Sequence, residues 1–331
     1  MQNKIILIVG LILITAAAVA LAFGGARWLS SLGNEETTEI PAASIPAVTL
    51  APSAAKSGGD VASQRKQIEA QNPDGPWSHD LMVATSVDGT AFSGSKTFVE
   101  HAGVPSVTYD AQGQLVAVFQ WFPDDDAAWD KVAVVFSDDE GKTWTEPLSI
   151  VMKGLPEGYQ RPFDPTVTLA KDGMLHLFFT SSADKQGPNQ MTQIYAATSN
   201  DGVTYDFKGL SLTIDGHRLF DCAALLFGDM WHLTTPLTPD LGAYHAVSTD
   251  GIAFTRTDDI EVPGWNWGGN LVGLGDSSMR FYGTESMHRG IWWSESTDGK
   301  TWSDPTPTGL SGADPGIVKL ENGTYLIIYV K

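Results

Sequence analysis

Five short stretches of this chain obey one rule: a serine, then an aspartate, a glycine and an aromatic ring at near-constant offsets. Four share a single spacing: Ser86-Val87-Asp88-Gly89 with Phe92, Ser199-Asn200-Asp201-Gly202 with Tyr205, Ser248-Thr249-Asp250-Gly251 with Phe254, and Ser296-Thr297-Asp298-Gly299 with Trp302. Ser137-Asp138-Asp139-Glu140-Gly141, with Trp144, carries one extra residue. The chemistry suits a tight strand-to-strand turn. Serine and aspartate oxygens cap turn amides, glycine takes the left-handed conformation, and the aromatic ring folds back into the packing. One Asp-Gly pair is weak evidence. Five with the same flanks, about fifty residues apart, form an internal repeat, and a repeat of that period reads as the blades of a β-propeller.

The stretches between the turns agree. From Trp77 onward, apolar runs of four to eight residues end in Gly, Asp, Asn or Pro, an all-β pattern. Four blades read almost whole: Val104–Tyr109, Leu115–Phe122 and Lys131–Phe136; Pro165–Ala170, Leu175–Thr180 and Gln193–Thr198; Cys222–Phe227, Met230–Thr235 and Ala243–Val247; Asn270–Leu274, Arg280–Glu285 and Gly290–Glu295. The fifth is split. Pro315–Leu320 and Thr324–Val330 supply its first two strands, and His79–Thr85, with the Ser86 turn, supplies the third from the other end. The expected fold is therefore an all-β, five-bladed propeller over residues 76–331, closed by its N-terminal strand so that no sheet edge is left open.

The chain has 331 residues and a formal net charge of −19, which disfavours nucleic acid and anionic membrane surfaces as partners. Cys222 is its single cysteine, so an intrachain disulfide and a cysteine-based zinc site are excluded. Residues 1–30 hold an apolar run from Ile5 to about Phe23, long for a signal peptide and long enough for a spanning helix. The expectation is an uncleaved anchor, with the domain on the extracytoplasmic side of the cell envelope, or secretion if the segment is cleaved at Ala20-Leu21-Ala22. Residues 31–75, rich in Ala, Pro, Ser, Gly and Glu, read as a flexible tether in which Gln64 to Gln71 could hold a short helix.

Topology selects a face. Neighbouring strands of a blade run antiparallel, so inner strands begin, second strands end and third strands begin on one rim, while the Ser-Asp-Gly turns fall on the other. Aligned inner strands place Val104, Asp164, Asp221, Gly269 and Asp314 at equivalent points around the axis. Asp at such a point is also a natural turn residue. Glu285 ends a second strand on the same rim, after Tyr282 and before Arg289. Arg161 and Arg218 precede Asp164 and Asp221, where they could hold a carboxylate ionised or grip an anionic sugar. His101 lies on that rim, and Trp121, Trp265, Trp267, Trp292 and Trp293 are the aromatics placed to stack on sugar rings or to pack between blades. Phosphate-binding, dinucleotide, nucleophile-elbow and His-Glu-x-x-His motifs are absent.

The turns resemble the Asp-box, or BNR, repeats of sialidases and related propeller glycosidases. The short form, with Asp-Pro before inner strands, is more similar to five-bladed glycosidases such as the arabinofuranosidase/xylosidase and invertase-like families. Val104-Pro105-Ser106-Val107 is similar to the Arg-Ile-Pro-Ser segment of sialidases, with Gly103 where the arginine stands. The resemblance implies a carbohydrate-active propeller, and glycoside hydrolysis needs two carboxyl groups across the scissile bond. Position then assigns Glu285 as general acid, Asp164 as base or nucleophile and Asp221 as the group that tunes the acid. Asp314, Arg161, Arg218, Arg289, Tyr282, His101, Trp121 and Trp267 are the expected substrate contacts. No metal or other cofactor is expected; the expected partner is a glycan or glycoconjugate, and the oligomeric state is left open, with a monomer as the expectation. A propeller that binds glycan or protein without catalysis, and an assembly factor for membrane complexes, are the alternatives.

Overall fold

The computed structural model describes residues 65–331 apart from 68, 185–190, 239 and 286–289. The anchor expected at residues 1–30 and the tether through residue 64 lie outside the described residues. Among those described, no helix is long and apolar enough to cross a membrane. Residues 65–67 and 69–71 are helical, and a 3-10 turn spans Pro76–Ser78. Everything that follows is strand and turn.

In chain order, β1 (Leu81–Ser86) and β2 (Ser93–Val99) come first. Next are β3 (Ala102–Tyr109), β4 (Leu115–Trp121), β5 (Lys131–Ser137), β6 (Leu148–Ser149) and β7 (Val151–Lys153). β8 (Phe163–Leu169), β9 (Leu175–Ser181), β10 (Gln193–Ser199) and β11 (Thr204–Leu212) follow. Then come β12 (Ala223–Phe227), β13 (Met230–Leu237), β14 (Leu241–Ser248), β15 (Thr255–Arg256) and β16 (Ile260–Glu261). The last are β17 (Trp265–Gly273), β18 (Met279–Glu285), β19 (Ile291–Ser296), β20 (Thr306–Pro307), β21 (Ala313–Lys319) and β22 (Tyr325–Val330).

The sheet orders are β2-β1-β22-β21, β3-β4-β5-β6, β7-β11-β10-β9-β8, and a longer run β12-β13-β14-β17-β18-β19-β20. In the longer run, β14 meets β17 through one parallel pairing, Leu241 with Trp265. β1 pairs with β22 from Leu81↔Val330 to Ser86↔Tyr325, so the N-terminal strand completes the C-terminal sheet as expected. The inner strands touch in a cycle: β3 packs on β8, β8 on β12, β12 on β17, β17 on β21, and β21 on β3. Their side chains bond across the centre, where Ser106 Oγ accepts from Val167 N–H at 3.1 Å and from Asn270 Nδ2 at 3.0 Å.

The register repeats. Each turn serine pairs with a residue at the start of the second strand: Ser137 with Leu115, Ser199 with Leu175, Ser248 with Trp231, Ser296 with Met279, and Ser86 with Tyr325. Three residues further, Val118, Phe178, Thr234, Tyr282 and Ile328 pair with Ser106, Thr166, Ala223, Asn270 and Gly316. The inner-strand residues two places upstream are then Val104, Asp164, Asp221, Gly268 and Asp314. In the β17 sheet the register slips between Asn266 and Gly269, so counting along the strand does not separate Gly268 from Gly269. Two adjacent glycines gave the sequence no means of choosing between them.

The turns close as their chemistry predicts. Each serine Oγ accepts the glycine N–H, at 2.9 Å for Gly89, Gly141 and Gly202, 3.1 Å for Gly251 and 2.8 Å for Gly299. Asp298 Oδ1 accepts from the N–H groups of Lys300 and Thr301, both at 2.8 Å, and these bonds hold its carboxyl below the usual range. Trp144 and Trp302 fold back to donate to the Gly141 and Gly299 carbonyls at 3.0 and 3.1 Å. The five turns are thus structural on their own terms, and their aspartates are occupied locally.

Candidate functional site

The starts of the inner strands are bent inward by β-bulges, seen as register shifts at Gly103/Ser106, Phe163/Thr166 and Ala313/Gly316. At the bend, Val104, Asp164, Asp221 and Asp314 take φ values of 51°, 49°, 49° and 49°. Left-handed backbone costs an L-residue about 1–2 kcal/mol, least for Asp and Asn, and is a true outlier for β-branched Val104. The fold therefore imposes this conformation, and aspartate is the residue that meets it with least strain while adding a carboxylate.

Val104, Asp221, Gly269 and Asp314 line one axial cavity together with the following prolines Pro105 and Pro315. Its volume is about 10 Å³, room for about one water molecule. The axis is thus plugged, and a ligand on this rim would rest above the plug. Asp164 and Asp221 are both buried, at 6% and 7% exposure. The buried Cys222 thiol is pushed up by burial first, and further by the charges of Asp221 and Asp164. Thr166, two residues after Asp164, donates through Oγ1 to the carbonyl of Cys222, the residue after Asp221, which ties the two strand starts together.

Glu285 ends β18 opposite Trp265 and is half-buried. Its carboxylate lies against Gly290, where an added Cβ would stand 3.0 Å from Oε1, and its N–H donates to the Gly290 carbonyl at 2.7 Å. It does not line the axial plug. Its neighbour Thr284 reaches the next sheet, its Oγ1 accepting from Asp314 N–H at 2.9 Å.

A carboxylate not anticipated from the sequence is Asp130, one residue before β5 on the same rim. It is 7% exposed and left-handed, at φ 61°. Gln120 Nε2 donates to its Oδ1 at 2.7 Å, and Arg161 donates to its Oδ2. Burial raises its proton affinity, against the pull of Arg161 and Gln120. Arg161 is thus partnered by Asp130, with its guanidinium over the Phe163 ring at 5.9 Å. In the sequence, Asp130 was masked by the acidic run Asp124 to Asp126.

The other expected contacts lie in different settings. Trp267 is fully buried, stacked on Phe281 at 4.5 Å and edge-on to Trp292 and Trp302, so it has no face for a sugar. Tyr282 is fully buried and donates its hydroxyl to the Gly89 carbonyl at 2.7 Å, fastening one sheet to the next turn. Arg218 is exposed. His101 and Trp121 line a lateral groove rather than the axial plug. Arg289 lies outside the described residues.

No family model matches the sequence, and no curated protein does. Solved structures do share its architecture. A Hadza microbial sialidase superposes over 76% of this chain with a TM-score of 0.51 at 14% identity, and the chain spans only 59% of that sialidase. A family 117 glycoside hydrolase from the marine bacterium Zobellia galactanivorans covers 78% of this chain and is itself covered over 91%, with a TM-score of 0.50 at 12% identity. A glycosyl hydrolase from Bacteroides ovatus gives 75%, 89%, 0.50 and 13% for the same quantities. At these identities the likeness is one of fold: the chain is all-β, with an architecture that glycoside hydrolases also use.

Proposed function

We propose that the chain is a five-bladed β-propeller acting on carbohydrate as an exo-acting glycoside hydrolase, held at the cell envelope by residues 1–30. Glu285 serves as general acid, Asp164 as base or nucleophile, and Asp221 as the carboxylate that tunes the acid. Asp314, Arg161 and Arg218 contribute binding. The observation that carries this reading is the common left-handed conformation of Asp164, Asp221 and Asp314 at the strand bends, with Asp221 and Asp314 lining the axial plug and Asp164 directly before its Pro165. Carboxylates gathered in this way suit a reaction that needs one protonated and one ionised group across a glycosidic bond. The glycosidase-like fold supports the same class. The test is a screen of the protein against a panel of aryl glycosides, in which at least one should be turned over.

The small volume of the plug favours a second reading, a propeller that binds a glycan without cleaving it. Glycan binding with no aryl glycoside turned over would select that reading.

A further inference from the structure

A lateral groove of about 550 Å³ runs between the β21-β22-β1-β2 sheet and the β3-β4-β5-β6 sheet. That volume falls within the range of about 300–1,000 Å³ typical of small-ligand sites. Its floor holds Phe98, Trp121 and Trp144, with Phe98 edge-on to Trp144 at 5.1 Å. Around the floor stand Lys96, Glu100, His101 and Glu146, all exposed. Lys96, Glu100 and Glu146 form no ion pair among the described residues. His101 is held in a left-handed backbone at φ 54°, with its N–H on Asp80 Oδ1 at 3.0 Å and its Nδ1 on the Trp77 carbonyl at 2.7 Å. A carbonyl only accepts, so Nδ1 carries the proton and Nε2 is left as an acceptor.

We infer that this groove is a second saccharide site, separate from the axial carboxylates, that takes a short neutral oligosaccharide. Aromatic faces fit the C–H faces of sugar rings. Two carboxylates and an imidazole nitrogen accept hydroxyl protons, and one ammonium donates. An apolar peptide would cover these polar groups without satisfying them, at a cost for each. An anionic ligand would face two carboxylates against a single lysine on a chain of net charge −19. A neutral polyol both donates and accepts and meets neither obstacle. The inference rests on the carbohydrate-active reading only for its choice of sugars, and the groove is independent of hydrolysis.

The test is calorimetric titration of the full-length protein with cellotetraose, xylotetraose, mannotetraose and chitotetraose. At least one should bind saturably. Trp121→Ala should weaken that binding by about tenfold or more, as loss of a stacking aromatic anchor does. Because Trp121 also packs on the core, the exposed pair Lys96→Ala with Glu146→Ala serves as a second variant. It should weaken binding while leaving the melting temperature unchanged. Asp164→Asn should leave this binding intact, whether or not the protein hydrolyses anything. No binding of any of the four sugars at 10-fold above about 1 mM would overturn the inference. So would binding that survives both groove variants, or that Asp164→Asn abolishes.

Discussion

The imidazoles of His232 and His245 stack 5.3 Å apart with their planes 10° from parallel, and Nδ1 of the first lies 3.1 Å from Nε2 of the second. His245 Nδ1 meets Thr257 Oγ1 at 2.8 Å, and that hydroxyl donates to the His245 carbonyl at 3.2 Å. Every contact is satisfied if His232 donates through Nδ1, His245 accepts at Nε2, and His245 donates through Nδ1 to Thr257. A further proton on His245 would set two N–H groups against each other in a buried place. Burial first, then the charges of His232 and Lys300, bring His245 down to about 4; burial also lowers His232.

The pH dependence follows. An unfolded histidine titrates near about 6.5. Between that value and about 4, the unfolded chain binds a proton that folded His245 refuses, so stability falls as pH falls through this window. Above about 6.5 the contribution is fully present and flat. Melting curves from pH 8 to 4 should show the decline, and His245→Gln should flatten it. Parallel profiles for the two proteins would remove His245 as its cause.

His232 occupies a recurring seam position. In the same register lie His176, Arg280 and Leu326, each against the turn of the following sheet. His176 Nδ1 lies 3.1 Å from the Gly251 carbonyl, and Arg280 Nη1 donates to the Asp88 carbonyl at 3.2 Å. An added Cβ on Gly299 would stand 2.4 Å from His232 Nδ1, and one on Gly141 would stand 2.3 Å from Leu326 Cδ1. Gly299 is also left-handed, at φ 73°. Gly299→Ala should therefore destabilise by more than the about 1 kcal/mol of an ordinary left-handed alanine. Denaturant titration measures it, and a change within about 0.5 kcal/mol, as for a neutral surface site, would mean the seam is loose.

Of the turn aromatics, Tyr205 is fully buried, whereas Phe92, Trp144, Phe254 and Trp302 are half-buried. Trp302→Ala should cost toward the low end of the about 3–5 kcal/mol seen for buried Trp. Chemical denaturation gives the value. A loss below about 1 kcal/mol would make the ring a surface ornament of its turn.

Closure by β1 gives a deletion test. Removing residues 1–64 should leave folding intact. Removing residues 1–92 takes β1 from β22 and exposes an unpaired edge, so the product should be insoluble. The short segment between has contacts of its own: Arg65 pairs with Asp124 at 2.9 Å, and Trp77 packs on Trp129 and Phe122 at 6.1 and 6.2 Å. Removing residues 65–80 should lower the melting temperature without abolishing folding. A soluble, cooperatively melting product lacking residues 1–92 would contradict closure.

What the sequence made legible was whatever is periodic. The Ser-Asp-Gly turns, the second strands and the return of His79–Thr85 to the C-terminal sheet depend on local patterns repeated often enough to align. Trp267 and Tyr282 misled because an aromatic near a strand end reads the same whether it faces a rim or a neighbouring sheet. Asp130 was missed for the opposite reason, since its meaning lies in Gln120 and Arg161, distant in sequence. The groove between β2 and β5 was invisible, because no pattern within one repeat reports the space between two.

The central proposal is that Glu285 and Asp164 perform glycoside hydrolysis on the axial rim, and the most direct test is kcat on the best aryl glycoside for the protein and its variants. Asn tolerates the left-handed backbone of residue 164, and Gln keeps the shape of residue 285, so neither change should alter melting. Glu285→Gln and Asp164→Asn should each lower kcat by about 100-fold or more, the span of general acid–base catalysis, while Asp298→Ala, on the opposite rim, should keep kcat per folded molecule. Wild-type kcat in either rim variant, or loss of activity in Asp298→Ala at unchanged melting, would contradict the account.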